Sequence, residues 1–383
     1  MLNGRMSIAH VTEAFAGGVT TYMTLVLPQL VARGHDVTLH CCDGRKDPLY
    51  ADAIQTMSNA GVTIKLLPMR RSCHPWADAR AIICLRRELK VGHHDLVHTH
   101  GTKAGLLGRL AARLVGVPVV HTPHCYAFLR AGTAAKAFLI RTAERALTSS
   151  TSGLIAVSES GQLAALKHSL IRPDRSTVVH NGLPIINGSR PDRVQVRRTL
   201  GLPQSSFVVT MGARLVEYKG IGLFLDAAEA CRDMDAVLLL AGYGDLERWA
   251  RRQVAHRDLS DRVRILGFVK DVPSLLGASD LCILCSTAEG QPYVLLEAMR
   301  AGCPIVAVAV PGITDMLEHG KSAILVQRDP HHIARAIRRL AGDEVLRKSL
   351  STQAQERFLA AHRLDSQVEA LIEAYERFIG RRN

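Results

Sequence analysis

Short apolar runs alternate with amphipathic helical stretches along almost the whole chain, and this rhythm restricts the fold more than any other feature. In the first half the strand-like runs lie near Ser7–Val11, Asp36–Cys41, Val62–Leu66, Asp95–His100, Pro118–Thr122, Gly153–Val157 and Thr177–Val179. Helical segments separate them, among them Leu106–Val115 and Ala134–Leu147. Strands that alternate with helices imply parallel pairing with crossover connections. The rhythm begins again near Phe207–Met211, Ala236–Ala241, Val263–Leu266, Leu281–Leu284, Pro304–Val308 and Ala323–Val326. A helical run from His331 closes the chain. The expectation is an α/β protein of two doubly wound parallel-sheet domains facing a central cleft, with ligands at the carboxyl ends of the strands.

A chain of 383 residues can support two cores of ordinary size. The expected division is 1–186 for an N-terminal domain, 187–204 for a linker and 205–362 for a C-terminal domain. The remaining 363–383 is expected to form a helix packing back on the first domain. The linker is read from two prolines and two glycines within Asn187–Pro203, although its middle can form a short helix.

The net charge of +13 is uneven. Residues 1–183 hold 21 basic and 11 acidic side chains, against 27 and 24 in the rest. The basic half predicts an anionic partner: a membrane surface, a phosphorylated acceptor or nucleic acid. Nucleic acid is the least favoured of these, since no recognised binding motif is present and aromatics for stacking are only 4% of the chain. No apolar run is long enough to span a bilayer, and the N-terminus lacks a signal-peptide core, so a cytoplasmic location is expected. Nine cysteines, several inside apolar runs, predict reduced thiols. Cys282 and Cys285 are three apart on a strand, on opposite faces, and read as packing.

Four places carry candidate chemistry. Gly17 and Gly18 follow the first strand and open a helix, where backbone can approach an anion closely. His98, His100, His121 and His124 cluster at the ends of two successive strands without a carboxylate to complete a metal set. His98 reads as strand-end packing, while His124, just past its strand, reads as a substrate hydrogen-bonding group. Arg214 and Lys219 share a loop and could neutralise a diphosphate, with Glu217 a possible local partner. Glu289 and Glu297 lie eight residues apart across a loop-to-helix junction, with Gly290 for a tight turn and Pro292 at the expected first helical position. Helix amides beyond Pro292 would offer a phosphate site. Separately, Tyr126–Leu147 interleaves Phe128, Leu129, Phe138, Leu139 and Ile140 with Arg130, Lys136, Arg141 and Arg145. That pattern suits an anionic membrane, and equally a helix half-buried on a sheet.

Taken together, these motifs make the chain resemble the family-4 retaining glycosyltransferases of the GT-B fold. The resemblance covers essentially the whole chain. It rests on Gly17-Gly18, HTHGTKAGLLGRLAA (His98–Ala112), HTPH (His121–His124), AVSES (Ala156–Ser160) and HNG (His180–Gly182). It continues through GARLVEYKG (Gly212–Gly220), AGYGDLE (Ala241–Glu247) and Glu289-x7-Glu297. What it implies is transfer of a hexose-type sugar, with retention, from a nucleoside diphosphate (UDP before GDP) to a polysaccharide, lipopolysaccharide or lipid-linked precursor at the cytoplasmic membrane face. No cofactor and no metal are implied.

The implied roles attach to particular residues. Glu289 would hold donor-sugar hydroxyls, Glu297 the ribose, and Arg214 and Lys219 the diphosphate. Gly17, Gly18, Gly290, Gln291, Pro292, Tyr293 and Val294 would complete the donor site, with Val269 near the base. His124 would touch the sugar near its reacting carbon, and His100, Thr102 and His121 would lie on the acceptor side. Three departures from the family pattern stand out: Cys125 where many relatives have Gly, Gln291 in place of an apolar residue, and Leu183-Pro184 after HNG. Gln291 and Cys125 are the ones expected nearest the sugar. A nucleotide-sugar epimerase or hydrolase of the same fold is the competing enzyme reading. A hydrolase would need both glutamates at one glycosidic bond.

Overall fold

The computed structural model describes residues 4–42, 48–70, 72–186 and 192–380. The chain forms two compact units, Met1–Asn181 with Leu364–Asn383, and Gly182–Arg363.

The first unit opens with β1 (Ser7–Thr12), α1 (Gly18–Ala32), β2 (Asp36–Cys41), α2 (Tyr50–Asn59) and β3 (Thr63–Leu66). It continues through α3 (Pro75–Gly92), β4 (Leu96–His100), α4 (Thr102–Val115), β5 (Val119–Thr122) and α5 (Ala134–Ala146). Then come β6 (Gly153–Ala156), α6 (Glu159–Lys167) and β7 (Ser176–Val178). The seven strands are ordered β3-β2-β1-β4-β5-β6-β7, every pair parallel. Strand order reverses between β1 and β4, so the loops after Thr12 and His100 diverge there, which is where open parallel sheets bind ligands. β4 and β5 are buried at every residue, as expected of strands covered on both faces.

The second unit begins with α7 (Arg193–Thr199), β8 (Phe207–Gly212), α8 (Ile221–Ala230), β9 (Ala236–Ala241) and α9 (Glu247–His256). It continues with β10 (Val263–Gly267), α10 (Val272–Ala278), β11 (Leu281–Leu284), α11 (Tyr293–Ala301) and β12 (Ile305–Val308). α12 (Ile313–Met316), β13 (Ile324–Val326), α13 (Pro330–Gly342) and α14 (Glu344–Ala361) complete it. Its parallel order is β10-β9-β8-β11-β12-β13, reversing between β8 and β11. The central β9, AVLLLA, is buried throughout. Helix signals in the sequence do what they should: Asp329 accepts from the amides of His331 and His332 ahead of α13, with Pro330 in its first turn. Gly302 ends α11 in the left-handed region.

The closing helical run consists of three helices, and the last, α15 (Leu364–Ile379), belongs to the first unit. Phe378 is buried against Gly153, where an added Cβ would lie 2.4 Å from the ring. Tyr375 is fully buried and shares a hydrogen bond with His98 of β4.

The segment expected to be a linker, 187–204, is placed differently. Residues 187–191 lie outside the described residues, and the units divide at Asn181/Gly182. The rest belongs to the second unit because Arg197 of α7 ties it there. This guanidinium is 1% exposed and donates to the carbonyls of Ala278, Gln204 and Ser206. It also pairs with Asp280 at 2.6 Å. Asp280 in turn accepts from Arg193 and from the backbone N–H of Val208 at the start of β8. Composition marks prolines and glycines but not a buried cation, so the tie of α7 to the second unit is not visible in it.

Removing one partner of a buried ion pair leaves the other uncompensated, at a cost of about 3–5 kcal/mol. Arg197→Met should therefore lower the unfolding free energy of the second unit by ~3–5 kcal/mol. Chemical denaturation measures this, and a loss below ~1 kcal/mol would show that the network is not structural.

Candidate active site

At the switch point of the second unit, three loops come together by backbone hydrogen bonds. Past β8, Ala213 N–H donates to Ala241 and Leu215 N–H to Tyr243, while Leu246 N–H returns to Leu215. Thr287 N–H, past β11, donates to Tyr218. Two glycines permit the approach. Gly220 has φ +74° and an added Cβ would sit 2.1 Å from the Cys285 carbonyl oxygen. Gly312 has φ +84°, with 2.2 Å to the Gly290 oxygen. Neither position can hold a side chain without moving backbone.

Inside this frame Lys219 Nζ lies 2.5 Å from Glu289 Oε1, both side chains mostly buried. Ser286 Oγ donates to the same carboxylate oxygen at 2.5 Å. Lys219 therefore pairs with Glu289, not with Glu217, which is exposed. Arg214 is half-buried and, among the described residues, has no carboxylate partner. Its guanidinium remains available to a ligand anion. Ser286 was missed by sequence reasoning. Its signal is the Ser-x-x-Glu spacing from Ser286 to Glu289, which usually announces a helix cap but here positions a side chain.

Pro292 is the residue just before α11, and Tyr293 is the first helical position, one residue later than expected. The reason lies in the backbone of Pro292: ψ is 124°, outside the helical range, and its carbonyl accepts from Leu295 N–H. The amides of Tyr293 and Val294 therefore begin the helix. Gly290 is buried beside Gly312. Gln291 is buried as well, with its amide 3.5 Å from His362 Nδ1, so this departure from the family pattern is taken up by packing within the unit. Val269, past β10, is half-buried against the cluster containing Leu239 and Leu275.

Glu297 lies on α11, and burial raises its pKa from 4.5 to about 7, with Arg300 opposing the shift. Because the folded pKa exceeds the unfolded one, the native protein binds more protons between pH 4.5 and about 7. Stability should fall as pH rises through that window. Glu297→Gln should leave stability unchanged at pH 4 and raise it by up to ~3 kcal/mol at pH 8, read by thermal unfolding without nucleotide. Equal stability of variant and wild type at pH 8 would contradict the assignment.

In the first unit the predicted residues separate onto two faces of the sheet. His121 is closed beneath α4, its ring nitrogen 3.0 Å from Thr99 Oγ1 and its ring against Gly105. At 1% exposure it is set apart from His98 and His100. Strand alternation is the cause, since His121 pairs with Thr99 and both point away from His98 and His100. Thr102 is exposed at the first position of α4. Gly17, with φ +61°, precedes α1, and Gly18 begins it, exposed.

On the opposite face, His10, His98 and His100 bring ring nitrogens within 4.8 Å of one another. His98 spends Nδ1 on Tyr375 (2.6 Å) and Nε2 on Thr122 Oγ1 (2.8 Å). Both ring nitrogens of His98 are thus engaged within a hydrogen-bonded cluster. His124 joins it through His100 at 3.2 Å and packs edge-on against Tyr22. It is half-buried and holds φ +56°, a conformation uncommon for a side-chain-bearing residue and concentrated at functional sites. Burial lowers its pKa to about 4, so its ring is neutral at pH 7. Sequence reasoning missed His10 and Tyr22. The thiols of Cys282 and Cys285 are buried and free, and burial pushes the latter up to about 12.

The description Glycosyltransferase Family 4 matches residues 16–185, and Glycosyl transferases group 1 matches residues 192–357. A relative from Escherichia coli, UDP-Gal:alpha-D-GlcNAc-diphosphoundecaprenol alpha-1,3-galactosyltransferase, is 31% identical over 70% of this chain and 72% of its own. A D-inositol 3-phosphate glycosyltransferase from Salinispora arenicola is also 31% identical, over 74% of this chain and 69% of its own. Among solved structures, Anabaena Alr3699/HepE in complex with UDP and glucose superposes with a TM-score of 0.83 at 21% identity. That match covers 97% of this chain and all of the other, and establishes the shared fold. With two parallel α/β units, both halves matched and relatives of this identity, the chain belongs to the family-4, group-1 glycosyltransferases of the GT-B fold.

Proposed function

We propose that this glycosyltransferase moves a sugar, with retention of configuration and without a metal, from a UDP-sugar to a lipid-linked glycan precursor at the inner face of the cell membrane. The observation that carries the reading is the Ser286–Glu289–Lys219 group beside Arg214 and the amides that begin α11. A carboxylate that accepts sugar hydroxyls and a cation that meets phosphate stand in direct contact. This suits a ligand in which sugar and diphosphate are adjacent. The E. coli relative is named for UDP-Gal, and the Anabaena structure was solved with UDP, which favours UDP as the donor nucleotide.

In the reaction the bond from the anomeric carbon to the diphosphate oxygen breaks, and a bond to the acceptor oxygen forms on the same face. The acceptor proton passes to the departing phosphate oxygen, so no protein nucleophile is required. The chain's task is to hold the donor and stabilise the charge of the leaving group, through Arg214, Lys219 and the helix amides. Glu289 positions the sugar, Glu297 the ribose, and His124 hydrogen-bonds the sugar. On this reading Glu289 and Glu297 are positioning groups with separate targets, which disfavours the two-carboxylate hydrolase.

Support for a membrane-borne acceptor comes from α5. The buried pair Arg109–Glu144, at 2.6 Å, fixes one face of this helix to α4. Phe138 and Leu139 on the other side are 64% and 69% exposed, close in sequence to exposed Arg130, Lys136 and Arg145. Apolar side chains among cations suit an anionic bilayer surface. Among the described residues no helix is long and apolar enough to cross a membrane, so the contact proposed is peripheral.

Glu289→Ala and Lys219→Ala should each reduce turnover at least ~10²-fold with the fold intact, the scale of one lost electrostatic contact in a transition state. Radiolabelled sugar transfer to a polyprenyl-diphosphate glycan measures it, and wild-type turnover in either variant overturns the site. Transfer should continue in EDTA, and sugar release without acceptor would instead favour a hydrolase. Phe138→Ser with Leu139→Ser should weaken co-sedimentation with anionic liposomes at low salt, on the order of tenfold. Unchanged sedimentation would remove the membrane surface from α5.

A further inference from the structure

His10 and His100 form a hydrogen-bonded stack that ends on His124. His10 of β1 and His100 of β4 lie on adjacent strands with side chains on the same face. His10 Nδ1 is 3.0 Å from His100 Nε2, and His100 Nδ1 is 3.2 Å from His124 Nε2. The rings are nearly parallel, at 11° and 25°. Each neutral imidazole has one N–H and one bare nitrogen, so two N···N contacts in series permit two proton arrangements. In one, N–H groups point towards His124: His10 Nδ1–H donates to His100, whose Nδ1–H donates to His124 Nε2. His124 then carries its proton on Nδ1. In the other, all three protons move to Nε2, and His10 Nε2–H becomes a buried donor.

His10 Nε2 is buried with no hydrogen-bond partner, and this atom distinguishes the two. A buried N–H without an acceptor is rarer in folded proteins than an acceptor lacking a donor. The arrangement pointing outward leaves only a bare nitrogen there. We propose that His10 and His100 are positioning residues that hold His124 as the neutral Nδ1–H tautomer, its Nε2 occupied as an acceptor and its Nδ1–H free to donate. In this state His124 cannot take up a proton without reversing the whole stack, because its one bare nitrogen already receives the His100 N–H.

The groups facing the stack are consistent with a ring kept neutral. On its own face these are His98 on β4, Tyr22 on α1 and Tyr375 on α15, while His40 on β2 and His121 on β5 act from the other side of the sheet. Burial is the largest cause holding His10, His98, His100 and His124 below their ordinary value, and no carboxylate contributes to any of the four. The inference deepens the proposed sugar contact of His124 and rests on that assignment for its effect on catalysis. The tautomer itself does not depend on it.

The test has two arms on the full chain. Long-range 1H–15N correlation with 15N-labelled histidine should show His124 protonated at Nδ1 and bare at Nε2 across pH 6–8. The opposite tautomer, or an imidazolium at pH 7, overturns the proposal. The second arm compares pH profiles of kcat. His10→Phe keeps an aromatic ring but removes the N–H to His100. It should move the acid limb about one pH unit or more above its wild-type position, still below the ordinary histidine value because the ring stays buried, with a fall of about tenfold per pH unit. In His10→Asn the side-chain amide stands in for Nδ1–H, and the form of the wild-type profile should return. A merely structural role would lower kcat in both variants without changing the profile, and that result sinks the proposal. If no sugar transfer is found with any donor while the predicted tautomer is observed, the reaction assignment fails and the stack stands.

Discussion

Parallel strands cannot be joined by tight turns, and this constraint governs the molecule. Each strand must be followed by a crossover, so every strand in a unit ends at the same edge, and chemistry collects in the loops there. Both units obey it, with order reversing between β1 and β4 and between β8 and β11. The candidate groups follow these reversals: Gly17 and His100 flank the first, Lys219 and Glu289 the second. Covering both faces of the sheets with helices also explains the near-continuous apolar strands and why histidines on β4 and β5 are buried.

Charge inside this frame is arranged in small closed groups. Arg197 is spent on carbonyls and Asp280, Arg109 on Glu144, and Lys219 on Glu289. The first two have no group left for a ligand and hold helices in place. The third differs in its place: it stands in the loops where the order of the second sheet reverses, ahead of α11. A ligand entering there would meet a pair that it can partly take over. Glu297 is a further strained group, since burial raises its pKa and Arg300 offsets this only in part. Binding groups that destabilise the empty protein are expected where function rather than stability sets the residue.

Much of this was legible in the chain. Thirteen strands fall within a residue or two of the apolar runs, because apolar period and length are local properties. Glu289, Lys219, Arg214 and His124 could be singled out since their motifs carry type and spacing together. Positions depending on partners far along the chain were not legible. Gln291 reaches His362, His10 reaches His100, and Arg197 reaches Asp280. His121 looked like His100 in sequence and was separated from it only by the alternation of the strand pair.

The sequence by itself determined the alternation of strand and helix, the two-part organisation, the basic bias of the first half and the residue types at each strand end. Those follow from periodicity and composition, which act over a few residues. Only the tertiary structure decided which side chains are spent on one another, and therefore which remain for a ligand. Lys219 takes Glu289 over Glu217, Arg214 stays without a carboxylate partner among the described residues, and three histidines from two strands and a loop become one stack. Hydrogen bonds and ion pairs reach only about 3 Å, and sheet register, not sequence distance, sets who stands within that range.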